Sequence, residues 1–319
     1  MKKNLLIISI LVVLFSSCDR GTDQSIRLKQ QFTIPEADVV FNTISEPEKG
    51  EAFGKNVIGF YSTQDRSVSI MEFPDSISPI RPYYLNADTI MVLNKLGNFG
   101  LINEGQAYLS IISNTQYLGC RKLVGDVFFQ SGGILFYSYM ESISIINYHD
   151  CSLEKTLLNS DDLSALQEYS IGLRSFSADE NYVLGSKDLQ LFKINLSNRE
   201  MFDYKRVGFS PALSPDQKKI AYLALDGIHI MDVNGQNDIL VVPYEPFISY
   251  SDGSSEIRMY TPDPNWSSDS TKIVYHKCIL PYSHCNKIGD YGIFIFDIVT
   301  MSEEMIVKGG LNPSWNHFK

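Results

Sequence analysis

Pro211-Ala-Leu-Ser-Pro-Asp-Gln-Lys-Lys-Ile-Ala-Tyr222 aligns without gaps on Pro264-Asn-Trp-Ser-Ser-Asp-Ser-Thr-Lys-Ile-Val-Tyr275, with six of the twelve positions identical. Arg174-Ser-Phe-Ser-Ala-Asp179 is a shorter third copy, and Pro313-Ser-Trp315 begins a fourth just before the chain ends. The pattern reads as strand, tight turn, strand. Ser and Asp side chains satisfy the turn's own backbone N–H groups, and the Ile-x-Tyr half resumes a pleated surface. Trp266 and Trp315 hold corresponding positions, which assigns them to structure rather than to ligand stacking.

Working outward, a second pattern recurs six times: apolar-x-apolar-apolar-x. It occurs at Val68–Glu72, Leu109–Ser113, Ile143–Asn147, Leu189–Lys193, Ile228–Asp232 and Ile293–Asp297. The central residues are separated by 41, 34, 46, 39 and 65 positions. Short apolar runs bounded by turn formers are buried strands, and a period near 45 residues with several strands per unit is the spacing of propeller blades. The expected fold is therefore all-β: a six-bladed β-propeller of four-stranded antiparallel blades over residues 36–319.

At these residues the chain resembles the TolB-type six-bladed β-propeller, whose repeat runs Pro-x-Trp-Ser-Pro-Asp-Gly, then Ile-Ala-Phe, then an Ile-Tyr-x-Asp strand. The resemblance covers about 173–316 by motif and 38–165 by pattern. Gln217 and Ser270 stand where that repeat places glycine. The resemblance implies an architecture; a function has to be argued from a site.

With strands A to D in each blade, 210–214 and 264–267 are A strands, the pentapeptides are C strands, and Asp238–Val242 is a D strand. The terminal 311–316 then lacks a B strand. It is expected to supply the innermost strand of the first blade, whose other strands come from about 56–84, closing the ring and removing free edges. Along a meander, A–B and C–D turns share one face, and B–C and D–A loops share the other. The turns are short, whereas Asn159–Gly172, Pro243–Pro262 and Lys277–Gly292 are expanded, all on the second face. Ser160–Glu168 has an N-cap residue and early acids, which suits a short helix. Pro243–Pro262 carries Tyr244, Phe247, Tyr250 and Tyr260, the candidate binding loop, which either contacts a partner or packs on its own blade.

The N-terminus carries an address. Met1-Lys2-Lys3 precedes an apolar run from Leu5 to Phe15, too short to cross a bilayer, and Ser16-Ser17-Cys18 follows. Residues 1–17 read as an export signal that looks like a bacterial lipobox. Cys18 is the expected lipidation site, and residues 18–35 are a polar tether. The expected location is the cell envelope, with the body outside the cytoplasm.

The 319 residues carry a formal charge of −10 with 44% hydrophobic side chains, a folded chain without the basic clusters that nucleic acid requires. Four further cysteines permit two disulfides in an exported protein. Cys278 with Cys285 is the natural pair, leaving Cys120 with Cys151. The rival is a metal site from His276, Cys278, His284 and Cys285, whose spacing fits no standard zinc motif. Asp232-x-Asn234-Gly235-x-Asn237-Asp238 lacks the distal Glu of a calcium loop and reads as a turn. His229 reads as packed, and Arg174, Asn265 and Asn316 are the polar candidates along the channel. No nucleophile elbow, zinc helix, P-loop or dinucleotide fingerprint occurs. The resulting expectation is a non-catalytic, lipid-anchored module without metal or cofactor that binds an envelope protein. The alternatives are a propeller lyase or hydrolase and a glycan-binding accessory protein.

Overall fold

The computed structural model describes residues 25–28, 33–45, 55–73, 79–95, 107–159 and 172–318, apart from 114–115, 125–126, 132–133, 140–141, 148, 151, 178, 180, 244–246, 250–254, 258–262, 281–284 and 286–287. Residues 1–24, with Cys18, lie outside this set, as do Ser160–Glu168 and Cys151.

The chain forms a series of antiparallel meanders. After β1 (Ser25–Leu28) come β2 (Val39–Ile44), β3 (Asn56–Ser62) and β4 (Ser67–Met71), which with a terminal strand form sheet 1. Sheet 2 contains β5 (Pro79–Asn86), β6 (Thr89–Lys95), β7 (Ala107–Ser113) and β8 (Gln116–Val124); sheet 3 contains β9 (Val127–Ser131), β10 (Ile134–Tyr139), β11 (Ser142–Asn147) and β12 (Ser152–Leu158). Sheet 4 comprises β13 (Gly172–Phe176), β14 (Tyr182–Lys187), β15 (Gln190–Asn195) and β16 (Met201–Val207). Sheet 5 comprises β17 (Phe209–Leu213), β18 (Lys219–Leu223), β19 (Gly227–Asp232) and β20 (Ile239–Pro243). A ribbon, β21 (Phe247–Ser249) and β22 (Ser255–Ile257), precedes sheet 6: β23 (Asn265–Trp266), β24 (Lys272–Cys278), β25 (Tyr291–Asp297) and β26 (Ser302–Lys308). The last strand, β27 (Leu311–Trp315), returns to sheet 1 in the order β27-β2-β3-β4.

The innermost strands meet in turn: β27 with β5, β5 with β9, β9 with β13, β13 with β17, β17 with β23, and β23 with β27. This is a propeller ring closed by the two ends of the chain. Five of the six sheets are four-stranded as expected, whereas sheet 2 has five strands in the order β1-β8-β7-β6-β5. The first blade is corrected: its strands come from 39–71, and Pro79–Asn86 already begins sheet 2. Five of the six pentapeptides lie on third strands. Val68–Glu72 instead falls mainly on the outermost strand β4, with Val68 and Ile70 45% and 48% exposed. An apolar edge strand carries the same pattern as a buried one, so period alone misplaced it.

Alternation explains why the inner strands are apolar on both faces. On β2, Val40 packs with Ile58, Tyr84 and Ile90 towards sheet 2, while Val39 and Phe41 pack with Val274, Ile293 and Trp315 towards sheet 6. On β24, Ile273 and Tyr275 join Trp266, Ile228 and Ala221 of the core against sheet 5, and Val274 takes the other side. Hydrogen bonds link these layers: Leu213 N–H donates to Ser175 Oγ (3.0 Å), Trp266 Nε1–H to the Ala212 carbonyl (2.9 Å) and Trp315 N–H to Asn265 Oδ1 (2.8 Å).

The repeated turns are built alike. Ser214 Oγ donates to Asp216 Oδ1 and accepts from Lys219 N–H, and Ser267 Oγ does the same with Asp269 and Lys272. Ser177 Oγ accepts from Tyr182 N–H in the third copy. At the position where the resembled repeat has glycine, Gln217 and Ser270 adopt φ of 60° and 59°, a left-handed conformation that disfavours side chains.

Candidate partner-binding face

Strand order assigns each connection to one of two faces. The A–B and C–D turns span six residues or fewer, the longest being 233–238. On the other face, five connections reach eleven residues or more: 45–55, 96–106, 159–171, 244–264 and 279–290. Three of these match the expected expansions. The other two carry turn formers in the sequence, Pro47, Gly50, Gly97, Gly100 and Gly105. The ribbon β21–β22 sits within 244–264 and includes Phe247; Tyr244, Tyr250 and Tyr260 lie outside the described residues.

Innermost strands enter the ring from this long-loop face, and the first residues of three of the six share a local device. Ile80-Arg81-Pro82, Phe209-Ser210-Pro211 and Leu311-Asn312-Pro313 each place the pre-proline residue at positive φ: 47°, 51° and 48°. Each coincides with a register shift against the neighbouring strand. A bulge at a ring's rim re-aims a side chain at the expense of local strain. Asp263-Pro264 occupies the same place before β23.

Behind this rim lies His276, near the end of β24 and fully buried. Asn312 N–H donates to its Nδ1 (3.3 Å), while Asn312 Nδ2 donates to Asn42 Oδ1 (3.0 Å). Thr43 Oγ1 donates to the Gly309 carbonyl. Burial drives the His276 imidazole down to about 4; Asp263 pulls it up and Arg81 pushes it down, so both charges act on the ring. A neutral ring whose Nδ1 accepts a hydrogen bond carries its proton on Nε2. That Nε2 is buried without a hydrogen-bond partner among the described residues. The chemistry this permits near neutral pH is donation to an acceptor rather than proton transfer.

The 279–290 connection is fixed beside this site. Cys278 and Cys285 form a disulfide with a Cα–Cα distance of 5.9 Å. Tyr291 Oη donates to the Cys285 carbonyl (2.8 Å), and Cys285, Tyr291 and Leu311 pack together with Cys278 and Ile288 around them. The disulfide takes up both sulfurs of the rival metal reading, and His284 lies outside the described residues. Among the described residues no cluster of three or more His, Cys, Asp or Glu side chains could hold a metal. The side chains of Cys120 and Arg174 are likewise outside the description.

Other candidates are held in structural contacts. Asn265 accepts from Trp315, and Asn316 Nδ2 donates to the Ala37 carbonyl (3.1 Å). Asp232 engages Lys219 Nζ and Asn237 Nδ2, as a turn residue would. His229 is more polar than its reading as a packed residue suggested: Asp238 lies 3.1 Å from Nδ1 and Asp226 2.9 Å from Nε2. Asp238 also accepts from Tyr222 Oη and pairs with Arg206 of sheet 4 (2.9 Å), linking two sheets. On the short-turn face a cleft of about 320 Å³ separates sheets 6 and 1, but its Arg66 and Lys272 already pair with Glu304 and Asp297.

Among the described residues no helix is long and apolar enough to cross a membrane. No protein-family profile matches the chain, and no curated protein matches it. Solved structures do. TolB from Acinetobacter baumannii superposes with a TM-score of 0.56 at 12% identity, covering 89% of this chain and 68% of that one. A putative TolB from Agrobacterium tumefaciens gives 0.50 at 11%, covering 93% and 94%. A chain of a nidogen/laminin complex gives 0.52 at 7%, covering 87% and 97%. The neighbours also include an oligogalacturonate lyase at a TM-score of 0.42. An architecture by itself does not choose between binding and catalysis. At these identities the likeness concerns the fold, and the fold is that of the TolB-type β-propellers.

Proposed function

We propose that this protein is a lipid-anchored component of the bacterial cell envelope whose propeller binds a partner protein without catalysing a reaction. The observation that carries the reading is that the five long connections all leave from one face, the face from which the innermost strands enter the ring. Long loops on a rigid ring are suited to recognition. A buried neutral imidazole that offers only a donor favours holding an acceptor group over acid–base work. The apolar run before Ser16-Ser17-Cys18 supplies the address, and a lipid on Cys18 the anchor.

The test is crosslinking in native membranes followed by mass spectrometry, with the full chain and with a chain lacking 243–262. The reading expects at least one envelope protein to be captured by the first and lost from the second. Identical neighbours from both chains would overturn the role of this loop. Binding of residues 19–319 to a glycan array with no protein captured would replace the protein partner with a glycan.

A further inference from the structure

Sheet 2 differs from the other blades by the strand β1, which pairs antiparallel with the outer edge of β8 from Ser25 opposite Cys120 to Leu28 opposite Tyr117. An open outer edge presents unpaired N–H and C=O groups and accepts an added strand. Here the added strand belongs to the chain itself, and it is the first described segment after Cys18.

Strand direction gives the segment a definite path. β8 runs from the short turn at 114–115 towards the long-loop face, so the antiparallel β1 enters from the long-loop side and leaves towards the short-turn side, where β2 begins. From Cys18 to Ser25 there are seven residue steps, at most about 25 Å of fully extended chain. A lipid on Cys18 would hold the bilayer within that reach of one edge of the ring. In the closed order of inner strands, β5 of sheet 2 lies three places from β17 of sheet 5, across the ring.

We propose that β1 is a strap that docks the propeller edge-on to a lipid bilayer. Sheet 2 faces the membrane, and sheet 5 with the 244–264 connection is held on the far side. This orientation rests on the lipidated-Cys18 reading above. Without the strap, the tether would let the ring tumble beneath its anchor. With it, the long-loop face stands across the membrane plane, and a partner is met beside the anchor rather than between the protein and the lipid.

The experiment uses the full chain purified in detergent and reconstituted into vesicles containing an acceptor-labelled lipid. A donor fluorophore is placed at Ala87 in the β5–β6 turn or at Lys218 in the β17–β18 turn, exposed positions on the same face in opposite sheets. Intact mass reports acylation for every sample. The expected result is energy transfer roughly twofold greater from position 87 than from position 218, given the short reach of the tether. Two variants, Ile26→Pro and replacement of 25–28 by Gly-Ser-Gly-Ser, should keep the acyl mass and abolish the difference, because each disfavours β1 as a strand without shortening the chain. Equal transfer from an acylated, unaltered chain would overturn the strap and leave the anchor standing. An unmodified mass at the mature N-terminus would overturn the anchor and the orientation with it.

Discussion

The turn at Ser214–Lys219 and the seam at Asn316–Asp38 perform the same task with different means. In the turn, Ser214 N–H donates to the Lys219 carbonyl (2.9 Å) and five residues of continuous chain bring the two strands together. In the seam, Asn316 N–H donates to the Asp38 carbonyl (2.7 Å), although the residues are at opposite ends of the chain. Asn316 occupies the repeat position of Ser214 and Ser267, and its Nδ2 donates to the Ala37 carbonyl in place of a local turn contact. Asp38 Oδ2 meanwhile accepts from the Thr63 N–H and Oγ1. The backbone contact is preserved when the covalent link is absent. What changes is the source of stability: a turn closes locally, whereas the seam must offset the closure entropy of nearly the whole chain. The disulfide, the buried His276 and the cores that take Leu311 and Trp315 lie beside the seam.

The comparison is broken most severely by deleting 311–319. This removes Leu311 and Trp315 from two cores and exposes the inner edge of β2. We expect the cooperative urea transition to disappear, an effect above about 5 kcal/mol; a chain that still unfolds in one sharp step would show the seam to be dispensable.

Protonation should strain the seam next. Burial holds His276 and His317 at about 4, so between pH 6.5 and 4 the unfolded chain takes up protons that the folded chain refuses. Stability present above pH 6.5 is then lost as pH falls through that window, by about 3 kcal/mol for each histidine. His276→Asn should flatten part of the slope in denaturation midpoint against pH. A profile unchanged by the substitution would remove His276 from this role. Cys278→Ser together with Cys285→Ser is expected to lower stability by roughly 2–3 kcal/mol through loss of the short closed loop, read as a fall in midpoint that dithiothreitol reproduces in the unaltered chain.

The turn side of the comparison predicts smaller effects. Ser214→Ala and Ser267→Ala each strip a part-buried backbone N–H, of Lys219 and Lys272, of its acceptor and should cost about 1–2 kcal/mol. Gln217→Gly should instead stabilise by about 0.5–1 kcal/mol, because glycine adopts φ near 60° without the penalty a side chain pays there. Thermal denaturation of these three variants suffices. A destabilised Gln217→Gly would mean that the side chain makes up for its backbone.

How much was readable follows from the same contrast. Residues 172–316 announce themselves because covalent turns need Ser-x-Asp chemistry, and that chemistry repeats. Sheet 1 has no such turn between its first two strands, β27 and β2, which come from distant parts of the chain, so the sequence carries no motif that marks where its blade begins. Val68 and Ile70 misled because an apolar pattern does not distinguish an inner strand from an outer edge. At the candidate site, the pre-proline residues Arg81, Ser210, Asp263 and Asn312 form a recurring x-Pro at the start of inner strands, a signal carried by the recurrence and not by any single residue. In sequence His276 stands beside Cys278, His284 and Cys285, the set of the metal reading. Its partner Asn312 lies 36 residues away in sequence and meets it only when the ring closes.

The central claim is that partners are recognised on the long-loop face. A photo-crosslinking residue at Ile248 in β21, compared with one at Lys218 on the short-turn face, tests it directly in native membranes. The account predicts a crosslinked envelope protein from position 248 and none from position 218. The same adduct from both positions, or an adduct from 218 alone, would contradict it.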